Sequence, residues 1–178
     1  MDLLKKILGT RQETAAKPAT TRDVIDNLKL ISKGERHVSE FYRLCGDVLA
    51  EEKDFWQALA ASEESHAEAA LKMAALVAKD PGKYKPGRAF NAASIRLFGL
   101  HLNDLVARMR AGKIEKNELL SLAVDIESSV VELNYGEIVE TEVPAYHALS
   151  RQLEEETGQH RQAFEKRMKR GAQGGKAT

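Results

Sequence analysis

The sequence holds a single cysteine, carries no net charge and lacks any long apolar run. Each shortage removes a class of function. With Cys45 alone, no disulfide framework, zinc ribbon or Cys-x-x-Cys redox pair can form within the chain. A reducing compartment, the cytoplasm, is the expected setting. Lys+Arg and Asp+Glu both number 27, so the overall charge calls for neither nucleic acid nor an acidic membrane surface. No helix-turn-helix pattern or basic face supports DNA binding, and no apolar stretch approaches the ~20 residues that span a bilayer. Met1 to Gly9 is too short for a signal-peptide core and no cleavage site follows it. Its Leu3, Leu4, Ile7 and Leu8 flank two lysines. It reads as a short helix, packed on the domain or frayed, with a docking or membrane-surface peptide as the sharper alternative.

What is present is helical periodicity. The 178 residues, 43% hydrophobic and 30% charged, fit one globular domain. Residues 1–20 read as an amphipathic segment and linker, 21–170 as the domain and 171–178 as a flexible tail. Thr20 or Thr21 can cap the first helix, with Asp23 in its first turn. The seam that follows is Val24, Leu28, Ile31, Glu35, Val38, Tyr42, Cys45 and Leu49, in steps of three and four. Gly34 beside Glu35 suggests close approach of a neighbour. After a turn at Ala50-Glu51-Glu52, a second seam runs Trp56, Leu59, Glu63, His66, Ala70, Met73 and Val77. Asp80 to Gly87, with Pro81 and Pro86, breaks the pattern. A helix through Leu97, Leu102 and Met109 then ends at Gly112, a natural C-cap, and reads as a long connection. The third seam is Leu120, Val124, Glu127, Val131, Asn134 and Ile138. The fourth begins after Pro144 with Tyr146, Leu149 and Leu153, continues through Glu156 or Thr157, and reaches His160, Phe164 and Met168. The expected fold is all-α: a four-helix bundle of two hairpins joined by a long helical crossover.

Polar residues interrupt these apolar lines at matching heights. Glu35 lies about 15 residues before the first turn, and Glu63 and His66 about 13 and 16 after it; at 1.5 Å per residue they can converge. Glu127 and His160 repeat this about 16 and 17 residues from Val143. The separation from single Glu to His is 31 in the first half and 33 in the second, which suggests a duplicated hairpin. Buried acids and imidazoles are costly unless satisfied, and a metal ion would satisfy them. The bundle recipe for two bridged metals takes one Glu from each of two helices and Glu-x-x-His from the other two. Glu35 and Glu127 fit the single positions, Glu63 and His66 one pair, and His160 half of the other. His37, His101 and His147 read as packing or surface residues, and Cys45 as a small buried hydrophobe.

The chain resembles the rubrerythrin-related branch of the ferritin-like superfamily from roughly Val24 to Met168. The resemblance rests on Glu35 with Tyr42 in Ser39-Glu40-Phe41-Tyr42-Arg43, on Glu63-Glu64-Ser65-His66-Ala67-Glu68, and on Gly112-Lys113-Ile114 leading to Ile126-Glu127-Ser128-Ser129-Val130-Val131-Glu132. It implies a ferritin-like four-helix bundle with a non-haem centre of two iron ions, or one, with manganese or zinc as substitutes. It implies Glu35, Glu63, His66, Glu127 and His160 as ligands, and oxidation of ferrous iron or reduction of oxygen or peroxide. Tyr42 is a hydrogen-bond donor behind the ligands in this reading. The sequence departs from the pattern twice. Thr157 stands where the last glutamate belongs, so either Glu156, which shares the His160 face, replaces it, or the site holds one metal, an asymmetric pair or none. The cysteine-rich iron domain of rubrerythrins is missing, so peroxidase turnover needs an external electron donor. The alternative is a metal-free or degenerate bundle acting as a binding or assembly module. Spare apolar faces suit a homodimer.

Overall fold

A computed structural model describes residues 20–87, 92–131 and 135–174. The N-terminal amphipathic segment and the last four residues of the expected tail lie outside the described residues. The described chain is all-α apart from one small ribbon: α1 (Thr21–Val48), α2 (Lys53–Lys79), β1 (Tyr84–Pro86), α3 (Ala92–Arg110), α4 (Leu119–Val131), β2 (Val139–Thr141) and α5 (Pro144–Gly174). No helix among the described residues is long and apolar enough to cross a membrane.

Local chemistry sets the boundaries. Thr20 caps α1: its hydroxyl accepts from the Asp23 amide at 3.2 Å, and the Asp23 carboxylate accepts from the Thr20 amide at 2.7 Å. A single 3-10 turn at Ala50–Glu52 reverses the chain into α2. Lys113 closes the end of α3 by donating to the Arg108 carbonyl at 2.9 Å, and Gly112 makes the reversal at φ 63°, a conformation that costs glycine nothing. Pro144 opens α5, where its missing N–H is no loss. That helix continues to Gly174, past the point where the sequence reading ends the domain.

α1 packs along α2 and also along α3; α4 packs on α5, and α5 on α2. The crossover helix therefore lies against the first hairpin, and the two hairpins meet through α2 and α5. The buried faces of α1 and α2 follow the expected seams from Val24 to Cys45 and from Trp56 to Val77. At one end, Tyr42 touches Trp56 and Phe164, with ring centres 5.7 and 5.6 Å apart. Phe55 adds edge contacts to Trp56 and Phe164, and the Arg167 guanidinium covers the outer face of Phe55 at 3.3 Å.

Three local expectations differ from the structure. The third seam predicts a helix through Ile138, but α4 ends at Val131. Tyr135–Glu137 forms a 3-10 turn, and Val139–Thr141 pairs antiparallel with β1, Tyr84 opposite Thr141 and Pro86 opposite Val139. β-Branched Val139 and Thr141 suit that pairing. Gly87 completes it by donating to Ile138 O at 3.0 Å, and the Glu137 carbonyl comes so close that a Cβ at Gly87 would collide with it. The buried line of α4 also falls on Leu119, Ala123, Ile126 and Glu127, while Leu120 and Val124 are half-buried. Asn134 lies outside the described residues. Finally, a Cβ built on Gly34 meets nothing within 4 Å, so no close approach explains that glycine.

Candidate metal centre

The polar interruptions of the seams are buried. Glu35, Glu63, His66, Glu127, Thr157 and His160 are each 8% exposed or less. On α2, Glu63 and His66 are three residues apart, so both side chains leave the same face. His160 reaches them from the facing α5. Ligand atoms of Glu63, His66 and His160 lie within 4.8 Å of one another, the one such group of three among the described residues. Glu63 is its hinge. One carboxylate oxygen, Oε2, is 3.1 Å from His66 Nδ1, and the other, Oε1, is 2.8 Å from His160 Nδ1. The two imidazoles stack with centres 5.4 Å apart and planes at 23°.

Glu127 stands at the rim of this group. Its Oε1 is 3.5 Å from His160 Nδ1 and accepts a hydrogen bond from the Tyr42 hydroxyl at 2.7 Å. Tyr42 thus links the aromatic end of the bundle to the acid cluster. Glu35 is buried on α1 but does not belong to the group of three. Glu156 is the half-buried neighbour: its side chain keeps 31% of its surface, and its Oε2 lies 2.8 Å from His66 Nε2. Thr157, one residue on, takes the buried position, and its hydroxyl makes no hydrogen bond among the described residues. Sequence reasoning does not single out Gln152, whose amide donates to Glu156 Oε1 at 3.0 Å. The available signal is the i, i+4 spacing of the two residues on one helix.

Comparison of the chain with family models, curated proteins and solved structures finds no match. The chemistry of the site therefore rests on its own residues.

The charges are tightly coupled. Burial pushes the Glu63 carboxyl up, but the contacts from His160 and His66 outweigh it and hold the group below the usual carboxylate range. Burial also opposes charge on His160, yet the Glu127 and Glu63 carboxylates raise it to about 10. His66 is raised against burial by Glu63 and Glu156. Glu127 is shifted upward, first by burial and then by the nearby Glu63 charge. Ion-free, Glu63 is held towards its charged form and both histidines towards theirs, while Glu127 is drawn towards neutrality. Burial raises the Tyr42 phenol well above its usual value, and Glu127 adds to that, so Tyr42 stays a hydrogen-bond donor. Cys45, also buried, is pushed up by desolvation and is no thiolate.

A cation fits this donor set. Glu63 Oε1 and His160 Nδ1 are 2.8 Å apart and buried, yet neither makes an aligned hydrogen bond among the described residues. They form a buried ion pair that lacks hydrogen-bond alignment, and a shared cation would engage both atoms. Neighbouring ligands about 2.1 Å from a six-coordinate ion lie about 3 Å apart, close to the 2.8 and 3.1 Å separations around Glu63. Two imidazoles and one carboxylate suit iron, manganese or zinc and leave positions open for a further ligand.

Proposed function

We propose that this chain is a ferritin-like four-helix bundle of the rubrerythrin-related kind, and that its Glu63–His66–His160 cluster is a non-haem iron centre that oxidises ferrous iron or reduces oxygen or peroxide. The observation that carries the reading is the buried group of three ligands, two of whose atoms face each other without an aligned hydrogen bond. Glu63 and His66 would hold the ion from α2, and His160 from α5. Glu127 and Glu35 are the carboxylates available to a second ion. That ion is the weaker of the pair, because Thr157 supplies a hydroxyl where a bridging carboxylate is needed. Iron bound here, with manganese as a substitute, supplies the electrons for oxygen or peroxide chemistry.

The chain's residues do the rest. Tyr42 holds Glu127 Oε1 in place by donating a hydrogen bond, and its own high pKa keeps that proton on the phenol. The aromatic rings around Tyr42 exclude water from one end of the cluster. The half-exposed Glu156 marks the side nearest solvent. With Cys45 buried and alone, a second electron source for peroxide turnover comes from an external donor.

The second reading, a metal-free bundle serving as a binding or assembly module, draws on one observation. Both ring nitrogens of His66 already meet carboxylates, at 3.1 and 2.8 Å, so the cluster can satisfy much of itself as ion pairs. Such buried pairs contribute little relative to an apolar core. Oxidant consumption separates the two readings. Protein loaded anaerobically with ferrous iron and freed of excess should consume oxygen or peroxide in proportion to bound iron, and Glu63→Ala should not. Equal consumption by parent and variant would rule out the iron-centre reading.

A further inference from the structure

We infer that Glu156 is not a metal ligand but the outer carboxylate that fixes the tautomer of His66. The inference rests on the metal-centre reading and adds a positioning residue to it. An imidazole offers two nitrogens that point in diverging directions. In His66, Nδ1 faces Glu63 at 3.1 Å, the carboxylate that also meets His160, while Nε2 faces Glu156 at 2.8 Å. An ion gathered by Glu63, His160 and His66 Nδ1 is therefore on the far side of the ring from Glu156. The Nε2–H then donates to Glu156 Oε2, and the lone pair is left on Nδ1 for the ion. Ligating histidines commonly donate their second N–H to a carboxylate in this way, which sets ring orientation and raises ligand basicity.

Burial separates the roles. The side chains of Glu63, His66 and His160 retain 3%, 1% and 10% of their surface, whereas Glu156 retains 31%. Its second oxygen accepts from Gln152 at 3.0 Å, so hydrogen bonds at both oxygens hold Glu156 against His66 Nε2. Thr157 occupies the buried position beside it. One residue along a helix turns the side chain by about 100°, which sends Glu156 to the flank of the cluster while Thr157 points inward.

The test uses the full chain loaded with Co(II) or Zn(II), with affinity measured by competition against a chromophoric chelator. Glu156→Ala is expected to weaken binding about 10- to 100-fold, with the number of bound ions and the visible bands of the Co(II) protein unchanged. Glu156→Gln keeps an oxygen that accepts from Nε2–H and is expected to fall between Glu156→Ala and the parent. Nitrogen-15 correlation spectra of the Zn(II) protein should show the His66 proton on Nε2. Changed Co(II) bands or a lost ion in Glu156→Ala would make Glu156 a ligand and overturn the inference alone. Unchanged affinity in both variants would also overturn it while leaving the metal centre standing. A parent chain that binds neither ion would overturn the metal centre itself and this inference with it.

Discussion

Glu63 decides the character of the cluster, because each of its oxygens meets a different histidine. Its neighbours show how much each contact matters. Tyr42→Phe removes the donor to Glu127 Oε1 and leaves a buried carboxylate oxygen without that partner. The expected loss is about 1–3 kcal/mol, read by urea denaturation of the ion-free protein; a loss below 0.5 kcal/mol, on the order of a surface substitution, would mean that the bond is replaced. The histidines set the pH dependence. His160 is raised from 6.5 to about 10 in the folded state, so its stabilising contribution to the ion-free protein is complete below pH 6.5 and fades as pH rises through about 10. Glu63 is lowered, so its contribution is complete above its ordinary value of 4.5 and fades as pH falls below it. Metal binding runs against the first trend, since the imidazoles must give up protons to ligate. Zn(II) affinity should therefore rise between pH 6.5 and 9, with protons released on binding, as measured by calorimetry in buffers of different ionisation enthalpy. Binding without proton release would contradict the assigned ligands.

At the scale of elements, the long helices are legible because their caps and seams agree. Thr20 with Asp23 starts α1, the seams of α1 and α2 run unbroken, and Gly112 ends the turn after α3. The β ribbon is not legible because each strand is three residues long and is specified by its partner more than 50 residues away. The end of α4 is lost for the same reason: Ile138 fits the third helical seam by spacing, but the distant Tyr84–Pro86 segment offers the Val139–Thr141 stretch beside it a ladder. Glu156 and Thr157 are both compatible with the fourth seam, and tertiary packing of α5 on α4 and α2 leaves Thr157 as the buried one. Gly34 is a separate case. It lies inside α1 at a position where a Cβ meets nothing within 4 Å. Gly34→Ala should stabilise the chain by about 1 kcal/mol, the helix-propensity difference, seen as a higher melting temperature. A lower one would show that the space beside Glu35 is needed.

At the scale of the whole molecule, two helical hairpins enclose one buried polar cluster. α2 and α5 supply the three residues that could hold an ion, α4 supplies Glu127 and α1 supplies Tyr42. Buried ion pairs commonly stabilise no better than an apolar core of the same shape, so holding an ion gives the arrangement a physical reason. The asymmetry between Glu63 on α2 and Thr157 on α5 makes one strong position and one weak one. The direct test is elemental analysis of the full chain after anaerobic loading with ferrous iron and exhaustive removal of free metal, with Glu63→Ala beside it. The account predicts close to one iron per chain, absent from the variant. Two firmly held ions would contradict the asymmetry attributed to Thr157, and no retained iron in the parent would contradict the metal centre.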